Sequence, residues 1–202
     1  MKIKKIDVYQ LDLPYSGGTY ELSGGRTYTS FDATFVCITT DTGLEGWGES
    51  TPFGATYIAA HAYGVRAGIA EMAPYLIGRD PRQVDRINDT MDQSLVGHNH
   101  AKTPIDVACW DVFGKSVDLP VCELSVQETT GSDIAFAAIV QLAQTVQPNL
   151  LRSVLECRDM VTLTTAQGNY PIINGCVRAP STAGLGITPN MAVLGNPVAS
   201  YS

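Results

Sequence analysis

From Lys2 to Leu13 apolar and polar positions interleave, with Ile6 and Val8 in one phase and Leu11 and Leu13 in the other. Alternation of period two marks a strand, and the change of phase predicts a bulge near Tyr9-Gln10. Phe31 to Thr40 is dense in β-branched and aromatic residues and predicts a second strand. Asp41-Thr42-Gly43 supplies turn chemistry, and Leu44-Glu45-Gly46-Trp47-Gly48-Glu49 returns as a third strand. The chain therefore opens as a three-stranded antiparallel meander, with Glu45 and Glu49 read as surface positions on its hairpin.

Between the first two strands, Pro14 to Gly25 is rich in glycine and tyrosine. Its composition fits a mobile lid whose tyrosines cover a ligand, and fits an ordinary long hairpin loop equally well. Three helical patterns follow. Tyr57 to Met72 is alanine-rich and apolar all round, which predicts a well-buried helix. Asp80-Pro81-Arg82-Gln83 reads as a capping Asp with Pro at the first helical position, and Val84, Ile87, Met91 and Leu95 continue a helical stripe. The third helix follows Gly97-His98-Asn99-His100, carries Ile105, Cys109, Val112 and Phe113 on one side, and is punctuated by Gly114-Lys115 and Leu119-Pro120. Strands followed by a run of helices indicate an α+β unit.

Beyond Leu119 the pattern weakens. Ser125 to Glu128 predicts a short strand, Thr130-Gly131-Ser132-Asp133 a helix cap, and Ile134 to Val146 a helix that is apolar on most sides. Pro148 to Thr165 and Tyr170 to Arg178 give a weak helix and weak strands. Gly184-Leu185-Gly186-Ile187-Thr188-Pro189 is a punctuated tail.

Composition then removes whole classes of function. Hydrophobic residues make up 45% of the 202 and charged residues 16%, which suits a globular core. A net charge of -7 argues against nucleic acid, whose phosphates require clustered Lys and Arg. Asp7, Gln10 and Asp12 interrupt any secretory signal, and no window approaches the ~20 apolar residues of a membrane span. Cys37, Cys109, Cys122, Cys157 and Cys176 are scattered without a CxxC, as expected of buried free thiols in a cytoplasmic protein.

Local motifs add little chemistry. His98 and His100 would share a face on a strand and could begin a metal site, but the pair reads better as a loop capping the next helix. No G-x-S-x-G elbow or Walker loop is present, and Gly184-Leu185-Gly186 lacks the third glycine of a dinucleotide site.

Three longer stretches say more. Gly43-Leu44-Glu45-Gly46-Trp47-Gly48-Glu49, the loop Thr51 to Tyr57, and Gly97 to Lys102 through Ala108-Cys109-Trp110-Asp111 jointly resemble the mandelate racemase/muconate lactonising enzyme group of the enolase superfamily. Within it the chain is similar to members of the 4-hydroxyproline betaine 2-epimerase and cis-3-hydroxyproline dehydratase type. The resemblance runs from Met1 to about Leu124. It resumes at about Ser125, where Val126 to Ile134 resembles the seventh strand of a (β/α) barrel and the start of its helix. Gly184 to Pro189 resembles the return of the chain to the capping domain. The implied fold is α+β: a capping domain at 1–115, a partial barrel remnant at 116–180 with a seam near 124–125, and a C-terminal segment at 181–202 that rejoins the capping domain.

The resemblance implies Mg²⁺ at a barrel mouth and removal of the proton α to a carboxylate, with a Lys or His as base and the ion stabilising the enediolate. A barrel alone takes at least ~200 residues, whereas this whole chain has 202. Lys115 is the last lysine, and the acids after the seam, Glu128, Asp133, Glu156 and Asp159, lack the family's three-strand spacing. No catalytic residue and no metal ligand is therefore carried over, and no metal is expected to bind. Lys102 matches a capping-domain helix and is read as a solvated lysine. What carries over is peripheral: Tyr20 in the first loop, Tyr57 at the end of the second, and Gln127 and Glu128 at the seventh strand. Tyr57 would face a quaternary ammonium through cation–π attraction, or pack at a helix start on its own domain. The expected partners are a small carboxylate or betaine, and a second copy or a full-length relative.

Overall fold

The computed structural model describes residues 1–121, 131–146 and 158–202. The predicted Ser125–Glu128 strand, the seam, Gln127, Glu128, Glu156, Cys122 and Cys157 lie outside the described residues.

Strands β1 (Ile3–Pro14), β4 (Ser30–Thr40) and β5 (Glu45–Ser50) form the meander, and a short final strand, β10 (Ala199–Tyr201), joins on the other side of β1. The sheet order is β10-β1-β4-β5, all antiparallel. Both faces are covered, so neither β1 nor β4 shows a simple in/out alternation. Ile3, Ile6, Val8, Val36 and Ile38 face the helices α1 (Ala62–Leu76), α2 (Val84–Ser94) and α3 (Asn99–Val117). Tyr9, Leu13, Phe31, Phe35 and Trp47 face α4 (Asp133–Thr145) and the C-terminal segments.

This two-sided burial corrects the predicted bulge. Pairing of β1 with β4 is unbroken from Lys5 to Pro14, and the irregularity lies between Ile3 and Lys5. Leu11 and Leu13 are not out of phase; they belong to the second buried face, together with Tyr9. The real bulge lets Ile3 and Ile6, three residues apart, reach the same core.

The helix starts differ for related reasons. The segment through Tyr57 is loop, and α1 begins only at Ala62, where His61 caps it by accepting the Gly64 N–H on Nδ1. At α2 the Asp80 carboxylate holds the Arg82 N–H and guanidinium in a turn, so the helix starts after Gln83 rather than at Pro81. Helix α3 begins as expected after Gly97-His98 and runs through Gly114 to Val117, where Asp118 leaves in the left-handed region.

The remaining strands are short: β2 (Tyr20–Leu22) with β3 (Arg26–Tyr28), β6 (Ala166–Gly168) with β9 (Ile187–Pro189), and β7 (Ile172–Ile173) with β8 (Cys176–Val177). The one-turn helix α5 (Met191–Leu194) precedes β10. Among the described residues every strand pair is antiparallel, and parallel contact is confined to the isolated bridge between Pro120 and Gly184. Cys37 and Cys109 are buried free thiols as expected, but Cys176, on a two-residue edge strand, is exposed.

Two buried carboxylates tie the layers together. Asp111 on α3 accepts from the Trp47 N–H at 3.0 Å, the Leu185 N–H at 2.7 Å and Lys115 Nζ at 2.7 Å. It thereby joins β5, its own helix and the C-terminal segment. Glycines make the approach possible: a Cβ on Gly46 would lie 2.2 Å from the Ala108 carbonyl oxygen, and one on Gly48 2.1 Å from that of Pro104. The second carboxylate, Glu49, belongs to the site.

Candidate ligand-binding face

The glycine-rich segment folds as the β2–β3 hairpin, hung from the end of β1 and β4. Its tyrosines pack on one another and on the 51–61 loop. Tyr20 meets Tyr15 edge-on with ring centroids 5.3 Å apart, and approaches Phe31 and Phe53 at 5.8 Å each. Phe53 continues to Phe31 at 4.8 Å and to Tyr57 at 5.7 Å. Polar ties fix this aromatic stack at both rims. Arg26 Nη1 donates to the Thr56 carbonyl at 2.5 Å, and the Tyr28 hydroxyl meets Thr56 Oγ1 at 2.7 Å. On the opposite rim the Ser16 N–H and hydroxyl bond the Met160 and Asp159 carbonyls at 3.0 and 2.6 Å.

Below the stack, Leu13, Phe31, Thr51, Phe53, Gly131, Met160 and Val161 line a cavity of ≈ 10 Å³. That is room for about one water at most, so the rings fill their own pocket. Tyr20 is therefore engaged by three aromatic neighbours. Tyr57 is 57% exposed and keeps ring surface toward solvent. It lies in a loop rather than at a helix start, and it packs edge-on against Phe53.

Behind this cavity sits a group that the sequence reading put on the surface. Glu45 is exposed, but Glu49 is fully buried. Its carboxylate accepts from Thr51 Oγ1 at 2.8 Å, the Ser132 N–H at 2.7 Å, Ser132 Oγ at 2.8 Å and the Ala135 N–H at 3.1 Å. It therefore caps α4 from another element, a role that a local Ser or Asp usually fills. Burial pushes its pKa up to about 7 against these four donors, which pull it down. Gly131 is required beside it, because a Cβ there would lie 2.1 Å from Glu49 Oε1. The signal was present in the sequence: along Gly46-Trp47-Gly48-Glu49, Glu49 shares its side of the strand with the large apolar Trp47, and the two glycines share the other.

Lys102 is also corrected. It is buried, with Nζ 2.6 Å from Asp92 Oδ1, so it is a paired helix residue rather than a solvated one. Lys115 Nζ is held by Asp111 and by the Glu45 carbonyl at 2.8 Å. His98 lies in the left-handed region just before α3, and His100 lies in its first turn. With His61 they line a cavity of ≈ 340 Å³. Among the described residues no group of three or more His, Cys, Asp and Glu side chains is placed to hold a metal ion.

A meander backed by three helices, with aromatic loops gathered at one end, defines a capping domain of the enolase type. The chain belongs to the mandelate racemase/muconate lactonizing enzyme family: residues 25–125, half of its length, match the family's N-terminal domain. Over 124 residues it is 48% identical to the cis-3-hydroxy-L-proline dehydratase of Roseibium aggregatum, an alignment covering 61% of this chain and 34% of that protein. It is 31% identical over 126 residues to the N-succinyl-L-Arg/Lys racemase of Bacillus cereus, again 61% of this chain and 33% of the relative. The chain thus spans about a third of the length of these curated relatives.

Among solved structures, a protein assigned to the same family from Aspergillus oryzae superposes with a TM-score of 0.92 at 38% identity, covering 99% of each chain. A family member from Roseovarius nubinhibens ISM, solved with magnesium, gives 0.95 at 27% identity over the full length of both. The described residues of the present chain bring together no three His, Cys, Asp or Glu side chains around a point where such an ion would sit. No helix among them is long and apolar enough to cross a membrane.

Proposed function

We propose that the chain is an internally deleted member of its family that does not turn over substrate, with a fairly intact capping domain joined to a short barrel-derived segment. One observation carries this reading: beyond the basic first strand the sequence has only two lysines, and both are committed elsewhere. Lys102 is paired with Asp92, and Lys115 braces Asp111. A carbon acid α to a carboxylate loses its proton near neutral pH only when a positioned base and a stabilised enediolate coexist. Lys115 cannot leave to serve as that base without removing a donor from fully buried Asp111, and Lys102, itself buried, is held against Asp92. We further propose a cytoplasmic location, in keeping with the free thiols and the family's substrates.

The purified chain, incubated in D₂O with Mg²⁺ and hydroxyproline or proline betaine, is expected to leave the α-proton unexchanged over hours, as followed by ¹H NMR. Measurable Mg²⁺-dependent exchange would overturn the assignment.

The exposed ring of Tyr57 favours a second reading, that of a non-catalytic binding module. A quaternary ammonium or small carboxylate would then bind saturably at the aromatic face without reacting, and Tyr57→Ala would weaken a betaine by about 5- to 30-fold, a loss of roughly 1–2 kcal/mol of cation–π attraction. Equal affinity of Tyr57→Ala and the parent chain in calorimetry would exclude that role. Self-association, or pairing with a full-length relative, is the further partner this reading allows, and co-purification tests it.

A further inference from the structure

Two carboxylates on different elements are joined by an unbroken run of hydroxyls. Glu49 Oε2 lies 2.8 Å from Ser132 Oγ, which lies 2.5 Å from Thr165 Oγ1, which in turn donates to Asp133 Oδ2 at 3.3 Å. The Thr165 N–H also donates to Asp133 Oδ2, at 2.7 Å. Glu49, Ser132 and Thr165 are fully buried. With Glu49 ionised, Ser132 donates to it. With Glu49 protonated, every hydroxyl can turn over, so that Glu49 donates to Ser132, Ser132 to Thr165 and Thr165 to Asp133. The run ends on an acceptor in either state, so a proton on Glu49 is satisfied without moving a heavy atom.

We propose that the joint between the sheet and α4 is a proton-linked latch: docking of α4 on Glu49 takes up a proton, and the joint loosens as the pH rises through neutrality. Among the described residues, the charged groups near the elements packed on Glu49 have partners of their own. Asp133 is held by Thr165. Asp111 and Lys115 of α3 are paired with each other beside Trp47. Asp32 and Arg66 are paired beside Thr34, whose partner in β5 is Ser50. The sign follows from burial. The docked carboxyl keeps its proton up to about pH 7, while an ordinary glutamate releases it at 4.5. The docked form thus binds more protons between those values, and acidification from pH 8 to 5 favours docking by on the order of a hundredfold, close to tenfold per pH unit below neutrality.

The test uses the whole chain. Carboxyl ¹³C shifts should show Glu49 titrating near neutrality; a midpoint at the ordinary 4.5 overturns the proposal. Exchange of the Ala135 and Phe136 amides, corrected for the intrinsic rate, should slow with acidification relative to the Phe35 and Val36 amides of β4. Equal pH dependence in both sets would mean that the joint is no separate unit, and would also overturn it. Glu49→Gln should abolish the pH dependence of the α4 amides. If that variant does not fold, Thr165→Val leaves the four described donors to Glu49 in place but cuts the run, and should move the Glu49 midpoint down. An unchanged midpoint in Thr165→Val refutes the role of the hydroxyls.

Discussion

Asp111→Ala is expected to destabilise the chain by about 3–5 kcal/mol, the cost of breaking a buried charged network by removing one partner. The carboxylate is fully buried and holds three donors from three places: Trp47 in β5, Leu185 in the C-terminal segment and Lys115 one turn along α3. Lys115 is partly exposed and can turn to water, but the two backbone N–H groups have no such exit. The loss should show as a lower urea midpoint and as detachment of the C-terminal segment, seen as early exchange of the Leu185 amide. Asp111→Asn retains one acceptor oxygen and should cost roughly half as much. A loss below about 1 kcal/mol for Asp111→Ala would mean that Asp111 is not what joins these segments.

Gly48→Ala is expected to cost about 3 kcal/mol, the upper end of overpacking. The added methyl would sit 2.1 Å from the Pro104 carbonyl oxygen and 2.9 Å from its carbon, and backbone cannot swing aside as a side chain can. Helix α3 would have to lift from β5, weakening both cores. Gly43→Ala is the control: its Cβ would meet open space, but its φ of +84° lies in the left-handed region. That change should cost only ~1–2 kcal/mol, through backbone strain alone. Thermal unfolding of the two variants should therefore separate a steric from a conformational penalty. Equal effects would show that α3 does not press on the strand as the distances indicate.

The meander was legible because its signals are local. A turn of Asp-Thr-Gly between two β-rich runs fixes a hairpin whatever packs on it, and the apolar stripes of α2 and α3 work in the same way. What escaped depended on groups distant in sequence. Glu49 looked like a hairpin surface residue because three of the four donors described for it lie more than eighty positions away. Lys102 is matched by Asp92 on a neighbouring helix. Asp80 is the local exception: it spends its side chain on Arg82, two positions on, rather than on a helix N-terminus. The apparent phase change in β1 arose because alternation reports one buried face, whereas this strand has two. Of the candidate site, Tyr57 was identified by resemblance and stands exposed. Tyr20, named by the same resemblance, packs in the aromatic stack, and that packing was not legible because it is set by the fold of the loop and not by its composition.

The strand order places the last strand beside the first, with Ser200 Oγ on Asp7 Oδ1 across 193 positions. Closing so distant a contact is entropically costly and comes late. While the chain emerges from the ribosome, β4 can pair with β1 at once, but the other edge of β1 has no neighbour until Ala199–Tyr201 is made. Throughout synthesis that edge is an open template for any extended segment. Lys5 and Asp7, paired on β1 at 2.7 Å, put charge along it, which is how an edge that must wait is kept from the wrong partner.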